Sequence, residues 1–299
     1  MRADIALLYG FLRLAGLLPL RVLHALGGGI GWLLARDDGR MARHTAVNLA
    51  LVRPDVGAAE RNRLKRQVLT HAGRSLTEMA AIWGRSPAAA LALVREVRGA
   101  ELLDEALGEG RGVIIAAPHI GCWELLNYWL CSRTPMAILY RPPRKPAFEA
   151  LLRRARGAAG PEQVRAEGAG VRTLYQRLAA GGAIGILPDQ EPRRGEGRFA
   201  PFYGVAASTM VLLPRLARRT GARVLFSFAE RLPRGRGFRI HLLPAPDGIA
   251  DADLDLACAA LNAGVQACAD LAFTQYQWHY KRFRERPPGE ANPYRAGNG

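Results

Sequence analysis

The sequence predicts an α/β protein: a mixed central sheet covered by helices on both faces, behind an N-terminal hydrophobic helical segment. Three observations predict it. Short, mostly apolar runs recur at 113–117, 136–140, 183–187, 224–229 and 238–243. Runs this short and this apolar are the pattern of strands buried on both faces. Longer amphipathic stretches separate them, as crossovers between parallel strands require. Residues 5–34 are apolar with few charges and stand apart from this alternation. At 299 residues and 49% hydrophobic, the chain can bury a full core. The expected division is a membrane-associating segment over 1–35 and a single domain over 36–299.

In the N-terminal segment, Arg13, Pro19, Arg21 and His24 interrupt the apolar run. No uninterrupted stretch reaches the roughly 20 residues that span a bilayer core. No small-residue cleavage site is convincing, so a secretory signal is not expected. Two short helices broken near Pro19 and Gly27-Gly28-Gly29 fit better. They either lie in one leaflet or pack on the core as an amphipathic pair. Arg36, Arg40 and Arg43 follow and are placed to meet anionic headgroups.

Residues 58–83 read as a helix. Ser86-Pro87 is an N-cap followed by Pro at the first helical position, opening a helix over 87–96. A short helix over 100–107 closes at Gly108. The strand 113–117 and a helix over 122–131 follow, then the strand 136–140. Residues 146–156 and 169–180 read as helices, the second closed by Gly181-Gly182. After the strand 183–187 comes a loop over 188–207 rich in Gly, Pro and Arg. A helix over 209–219, the strands 224–229 and 238–243, and a long helix from about 251 to 283 complete the chain, with a frayed tail after Pro287.

Composition narrows the function. The formal charge is +16, from 42 basic and 26 acidic residues, so the partners expected are anionic. A nucleic-acid-binding protein would show a zinc, helix-turn-helix or RNA-binding signature, and none is found. The cysteines Cys122, Cys131, Cys258 and Cys268 form no CxxC pair and read as buried thiols of a reducing compartment. There is no P-loop and no serine elbow.

The segment Gly112-Val-Ile-Ile-Ala-Ala-Pro-His-Ile-Gly-Cys-Trp-Glu124 carries the chemistry. An apolar run lifts the backbone to His119 at a strand-to-helix turn, and Glu124 follows five positions later. A histidine with a carboxylate to orient it is the equipment of a general base. The His-x4-Glu spacing is not that of the paired ligands of zinc motifs, so no metal site is expected. The alternative for a lone pair of this kind is a packed histidine. Its company favours the base: Arg141 and Asp189 also follow strands, and ligand sites of open α/β sheets lie at such C-terminal ends. Arg141 is either a site residue or a strand-end ion pair. Phe199, Phe202 and Tyr203 either line a groove or anchor their loop.

This pattern resembles the lysophospholipid acyltransferase superfamily, and within it the lipid A late acyltransferases. The resemblance covers nearly the whole chain. It rests on Arg43 with Asn48-Leu49, on Glu78 and Trp83, and on the His119–Glu124 block with Trp123. It continues through Tyr140-Arg141-Pro142, Arg156, Asp189-Gln190, Pro201-Phe202-Tyr203-Gly204, Thr209 and the ending Gln277-Trp-His-Tyr-Lys-Arg-Phe283. Cys122 departs from the usual Asn. The 191–198 loop is longer and richer in Arg, which points to a different acceptor.

The resemblance implies a glycerolipid-acyltransferase-like fold and a membrane-associated enzyme at the cytoplasmic face of the inner membrane. It implies acyl carrier protein as donor and an anionic lipid, a lipid A precursor, as acceptor, with no cofactor and no nucleic acid. His119 and Glu124 would be catalytic, as base and orienter. Arg156, Asp189 and Arg141 would bind substrate. Two alternatives stay open: another lipid or glycolipid acceptor, such as phosphatidylinositol mannoside, and a membrane scaffold without catalysis. The scaffold predicts loss of the His or the Glu, and both are present.

Overall fold

The computed structural model describes residues 3–37, 39–140, 149, 162–165 and 168–295. The N-terminal part is helical: α1 (Ala3–Gly16), α2 (Leu20–Arg36), α3 (Arg40–Val52) and α4 (Ala58–Trp83). A short α5 (Pro87–Leu91) leads into β1 (Val94–Arg98), α6 (Ala100–Gly108), β2 (Val113–Ala116), α7 (Trp123–Arg133) and β3 (Met136–Tyr140). Then follow β4 (Glu162–Arg165), α8 (Gly168–Ala179), β5 (Ala183–Ile186), β6 (Gly197–Phe202), β7 (Val205–Met210), α9 (Leu212–Thr220), β8 (Arg223–Arg231), β9 (Phe238–Pro244) and α10 (Leu254–Leu271).

Seven strands form one sheet in the order β1-β9-β8-β2-β5-β3-β4. All neighbours are parallel except β8 and β9, so the sheet is mixed, as expected. Every residue of β2 and β5 is buried. Along β2, Ile114 and Ala116 belong to one hydrophobic cluster and Val113 and Ile115 to the other. The first cluster draws on α3, α8, α9 and α10, the second on α2, α5, α6 and α7, with α4 contributing to both. Apolar residues on both sides of a strand leave no polar face, which is why these strands read as unbroken runs.

Several boundaries differ from expectation. The helix expected over 87–96 stops at Leu91 and gives way to β1. Residues 188–207 contain β6, which pairs with β7 in a separate hairpin, and the helix expected from 209 begins at Leu212. Tyr203 and Gly204 turn that hairpin with φ of 51° and 75°, the left-handed pair that matches strand twist. The long C-terminal helix ends at Leu271. A 3-10 turn over Phe273–Gln275 follows, and the carbonyls of the irregular stretch beyond it are satisfied by α3: Asn48 Nδ2 donates to Trp278 O and Tyr280 O. Of the helix expected over 146–156, only residue 149 is among the described residues, and it is helical.

The chain breaks between α1 and α2 at Pro19, but α2 runs straight through Gly27-Gly28-Gly29. Those glycines are contact points rather than breakers. A Cβ on Gly27 or Gly31 would stand 2.6 or 2.2 Å from backbone atoms of α4, and one on Gly73 would stand 2.1 Å from Gly27 O. Removing Cβ atoms lets the two helices touch backbone to backbone, as small residues do elsewhere. Among the described residues no single helix is long and apolar enough to cross a membrane; α1 and α2 pass that test only as a pair bent by 117°.

Candidate active site

The loop after β2 carries His119 and is held on three sides. Ala117 N donates to Ile186 O of β5, Cys122 N donates to Ala229 O of β8, and Gln277 N donates to His119 O. Gly121 makes this possible. Its φ is 59°, and a Cβ there would stand 1.9 Å from Ala229 O. Only glycine combines that conformation with that approach.

His119 meets Asp189 twice. Its backbone N–H donates to Oδ2 at 2.9 Å, and Nδ1 lies 2.8 Å from Oδ1. On the far side of the ring, the Gln190 amide nitrogen is 3.2 Å from Nε2. A carboxylate at Nδ1 and an amide donor at Nε2 select one tautomer, with the proton on Nδ1 and a lone pair on Nε2. Trp123 sets an edge against the ring at 6.0 Å between centroids.

Asp189 is 3% exposed. Burial alone would raise its pKa, but the His119 ring and the hydrogen bonds it receives more than offset this, and the carboxyl is held below its ordinary value. The buried Tyr276 hydroxyl is pushed up, first by burial and then by the Asp189 carboxylate.

His119 opens onto a cavity of about 780 Å³. The cavity is bounded by α7 on one side and by β2, β3 and β5 on the other, with Ile115, Leu126, Leu130, Met136 and Ile138 making its depth apolar. Its rim is polar and includes Gln190, Glu191, Arg198 and Arg215. Among the described residues no group of three His, Cys, Asp or Glu side chains is arranged to hold a metal ion.

Sequence reasoning gave the orienting role to Glu124. The partner found at Nδ1 is Asp189 instead. Glu124 lies on the first turn of α7, fully buried, and is not among the described residues that line the cavity. Arg141 and Arg156 lie outside the described residues. Phe202 is fully buried against Trp278 and Phe283, and Tyr203 packs on Trp278, which makes both anchors of the hairpin. None of Phe199, Phe202 and Tyr203 lines the cavity. Arg198 and Arg215 were missed, because single arginines in an Arg-rich sequence carry no spacing signal.

The sequence matches known proteins over most of its length. The family model described as bacterial lipid A biosynthesis acyltransferase matches residues 2–285. The chain belongs to that family. Among its relatives is the lipid A biosynthesis lauroyltransferase of Escherichia coli (strain K12), 27% identical over 286 residues, covering 95% of this chain and 92% of the relative. The lipid A biosynthesis palmitoleoyltransferase of the same organism is 28% identical over 278 residues, covering 93% and 90%. A phosphatidylinositol mannoside acyltransferase of Mycobacterium tuberculosis (strain CDC 1551 / Oshkosh) is 29% identical over 199 residues, covering 62% and 58%. The matched range of this lipid A acyltransferase family member includes His119, Asp189 and most of the C-terminal segment that supports them.

Proposed function

We propose that this protein transfers a fatty acyl chain from acyl carrier protein to a hydroxyl of a lipid A precursor, at the cytoplasmic face of the inner membrane. The observation that carries the reading is His119, with Nδ1 on a buried carboxylate and its ring on an apolar cavity large enough for an acyl chain. The acceptor hydroxyl displaces the Gln190 amide from Nε2 and attacks the thioester carbonyl. His119 takes the hydroxyl proton as the C–O bond forms, and Asp189 stabilises the imidazolium. The tetrahedral intermediate then expels the thiolate, the C–S bond breaks, and the imidazolium returns its proton to sulfur. The acceptor is itself the nucleophile, so no acyl-enzyme is required.

Glu124, a second buried carboxylate five residues after the base, is proposed to act through the field at the start of α7. Arg156 and Arg141 are proposed to bind the acceptor phosphate or the oxyanion, with Arg198 and Arg215 at the rim as further cations for an anionic headgroup. The exposed apolar residues of α1 and α2, among them Phe11, Leu14 and Trp32, form the membrane-facing surface. The mycobacterial relative supports a second reading of the acceptor, a glycolipid other than lipid A.

The test is acyl transfer by purified protein from acyl carrier protein to a lipid A precursor, read by mass spectrometry. His119→Ala is expected to abolish the mass gain of one acyl group. Full transfer by that variant would remove the base. An unchanged lipid A mass in cells lacking the gene would redirect the reading to another acceptor.

A further inference from the structure

Among the polar groups that line the cavity, one that the transfer chemistry leaves unused stands on its helical wall, among apolar side chains. Asn127 projects from α7 and is 8% exposed. Its Oδ1 accepts from the Cys131 thiol at 3.7 Å. Burial pushes that thiol up to about 11, so it keeps its proton at neutral pH. The amide Nδ2 has no hydrogen-bond partner among the described residues. An amide nitrogen carries two donors, and leaving them unmet in an apolar site is costly.

The surroundings fix where the amide stands along a bound chain. Trp123, Asn127 and Leu130 follow one another along α7 and all line the cavity. Trp123 neighbours the His119 ring, so Asn127 lies one turn deeper, about 5 Å. The opposite wall is a cross-strand row, Ile115 beside Gly185 beside Ile138. Gly185 leaves a notch there: a Cβ would meet nothing closer than Met136 Cε at 3.5 Å. The cavity is therefore wide, apolar and armed with a hydrogen-bond donor close to its reactive end.

We infer that Asn127 is a specificity-determining residue that selects an acyl chain bearing a hydroxyl near its carbonyl, with Nδ2 donating to the hydroxyl oxygen. This rests on the acyl-transfer reading. A plain saturated chain would seal the amide against hydrocarbon, whereas a hydroxylated chain satisfies it. Sites that hydrogen-bond a substrate hydroxyl discriminate strongly against the analogue lacking it.

The experiment offers the full-length protein lauroyl, α-hydroxylauroyl and β-hydroxylauroyl thioesters of the same carrier protein in competition. One hydroxylated donor is expected to be preferred by roughly ten- to a hundredfold in kcat/KM. Asn127→Leu, close in volume, is expected to bring that ratio to about one. Equal use of the three donors by the wild type, or a preference that survives in Asn127→Leu, would overturn the inference. A second measurement needs neither a variant nor turnover: thermal stabilisation of the wild type by lauric acid and by its α- and β-hydroxy derivatives. A larger shift with a hydroxylated acid supports the inference, and equal shifts overturn it. Absence of transfer from every donor would overturn the acyl-transfer reading, and the binding measurement still decides whether Asn127 reads a hydroxyl.

Discussion

His119 and Asp189 leave two neighbouring parallel strands at equivalent positions, each three residues beyond a paired end. Ala116 of β2 and Ile186 of β5 face each other in the sheet, and three residues on from each, the ring and the carboxylate meet at 2.8 Å. Parallel register thus brings residues 70 apart in sequence into contact without a long loop. The rigid sheet sets the distance, and the loop anchors on β5, β8 and Gln277 set the orientation.

Asp189→Asn should leave the fold intact and reduce kcat sharply. The amide can present its N–H to Nδ1 and so favour the wrong tautomer, and it cannot stabilise an imidazolium. The loss expected is about 10³–10⁴-fold. Steady-state kinetics of Asp189→Asn and Glu124→Gln side by side assign the orienting role. A larger kcat loss in the Glu124 variant, with near wild-type rates in the Asp189 variant, would return that role to Glu124.

The relationship was legible in the sequence, in a signal that the reading passed over. Val-Ile-Ile-Ala-Ala-Pro-His119 and Ala-Ile-Gly-Ile-Leu-Pro-Asp189 have the same form: five apolar or small residues, a proline, then a polar side chain. Local spacing pointed to Glu124 because it is near in sequence, whereas sheet order is a non-local property. Edge strands β1 and β4 were missed for a different reason. Both mix charged and apolar residues and are partly exposed, so neither shows a buried run. Asn48, Glu78, Thr209 and Arg282 were visible as motif residues, but their work is structural. Asn48 and Thr209 belong to buried networks that hold the chain on either side of Trp278 and Arg282, and Glu78 pairs with Arg231.

Gly121→Ala should impair catalysis and stability together. The added methyl would press into Ala229 O, in a backbone conformation that alanine resists. The loop must shift, and His119 moves with it. A loss of about 1–3 kcal/mol in unfolding free energy is expected, with kcat falling at least tenfold. Denaturant melts and transfer assays on one preparation check this. Wild-type kcat despite lost stability would mean that the loop does not position the base.

Acidification should weaken the fold in two stages. Arg231 donates to both oxygens of the fully buried Glu78 at 2.6 and 2.7 Å, and to His71 Nδ1 at 3.0 Å. Burial, reinforced by Arg231, lowers His71 to about 3. The unfolded chain therefore takes up this proton first, and stability falls from about pH 6.5 downward by about 1.4 kcal/mol per pH unit. Burial opposes ionisation of Glu78, but Arg231 outweighs it and brings the carboxyl down to about 2. Its contribution is present above about pH 4.3 and is lost as pH falls toward that lower value. His279, which burial lowers to about 4, contributes in the same window, so His71→Gln should reduce the slope between pH 6.5 and 5 by about 1.4 kcal/mol per pH unit without removing it. An unchanged slope in the upper window would show that His71 is not the group titrating.

The N-terminal helices should bind membranes through a surface that the folded core does not use. Leu7, Phe11, Leu14 and Leu17 are 74%, 66%, 70% and 79% exposed, so charges placed there meet no packed neighbour. On α2, Leu26, Trp32 and Leu33 extend the apolar surface, and Arg36 stacks on the Trp32 ring at 3.5 Å. Moving one such side chain from water into an apolar environment contributes about 1.5–3 kcal/mol, so each lost contact should lower partitioning roughly tenfold or more. Phe11→Asp, Leu14→Asp and Leu17→Asp together should release the protein from vesicles, with the melting temperature in detergent unchanged. Anionic vesicles should bind the wild type more tightly than neutral ones, and added salt should narrow the gap, because the basic residues beside the helices act through a screened field. Vesicle sedimentation at two salt concentrations measures both effects. Undiminished binding by the triple variant would place the membrane contact elsewhere on the protein.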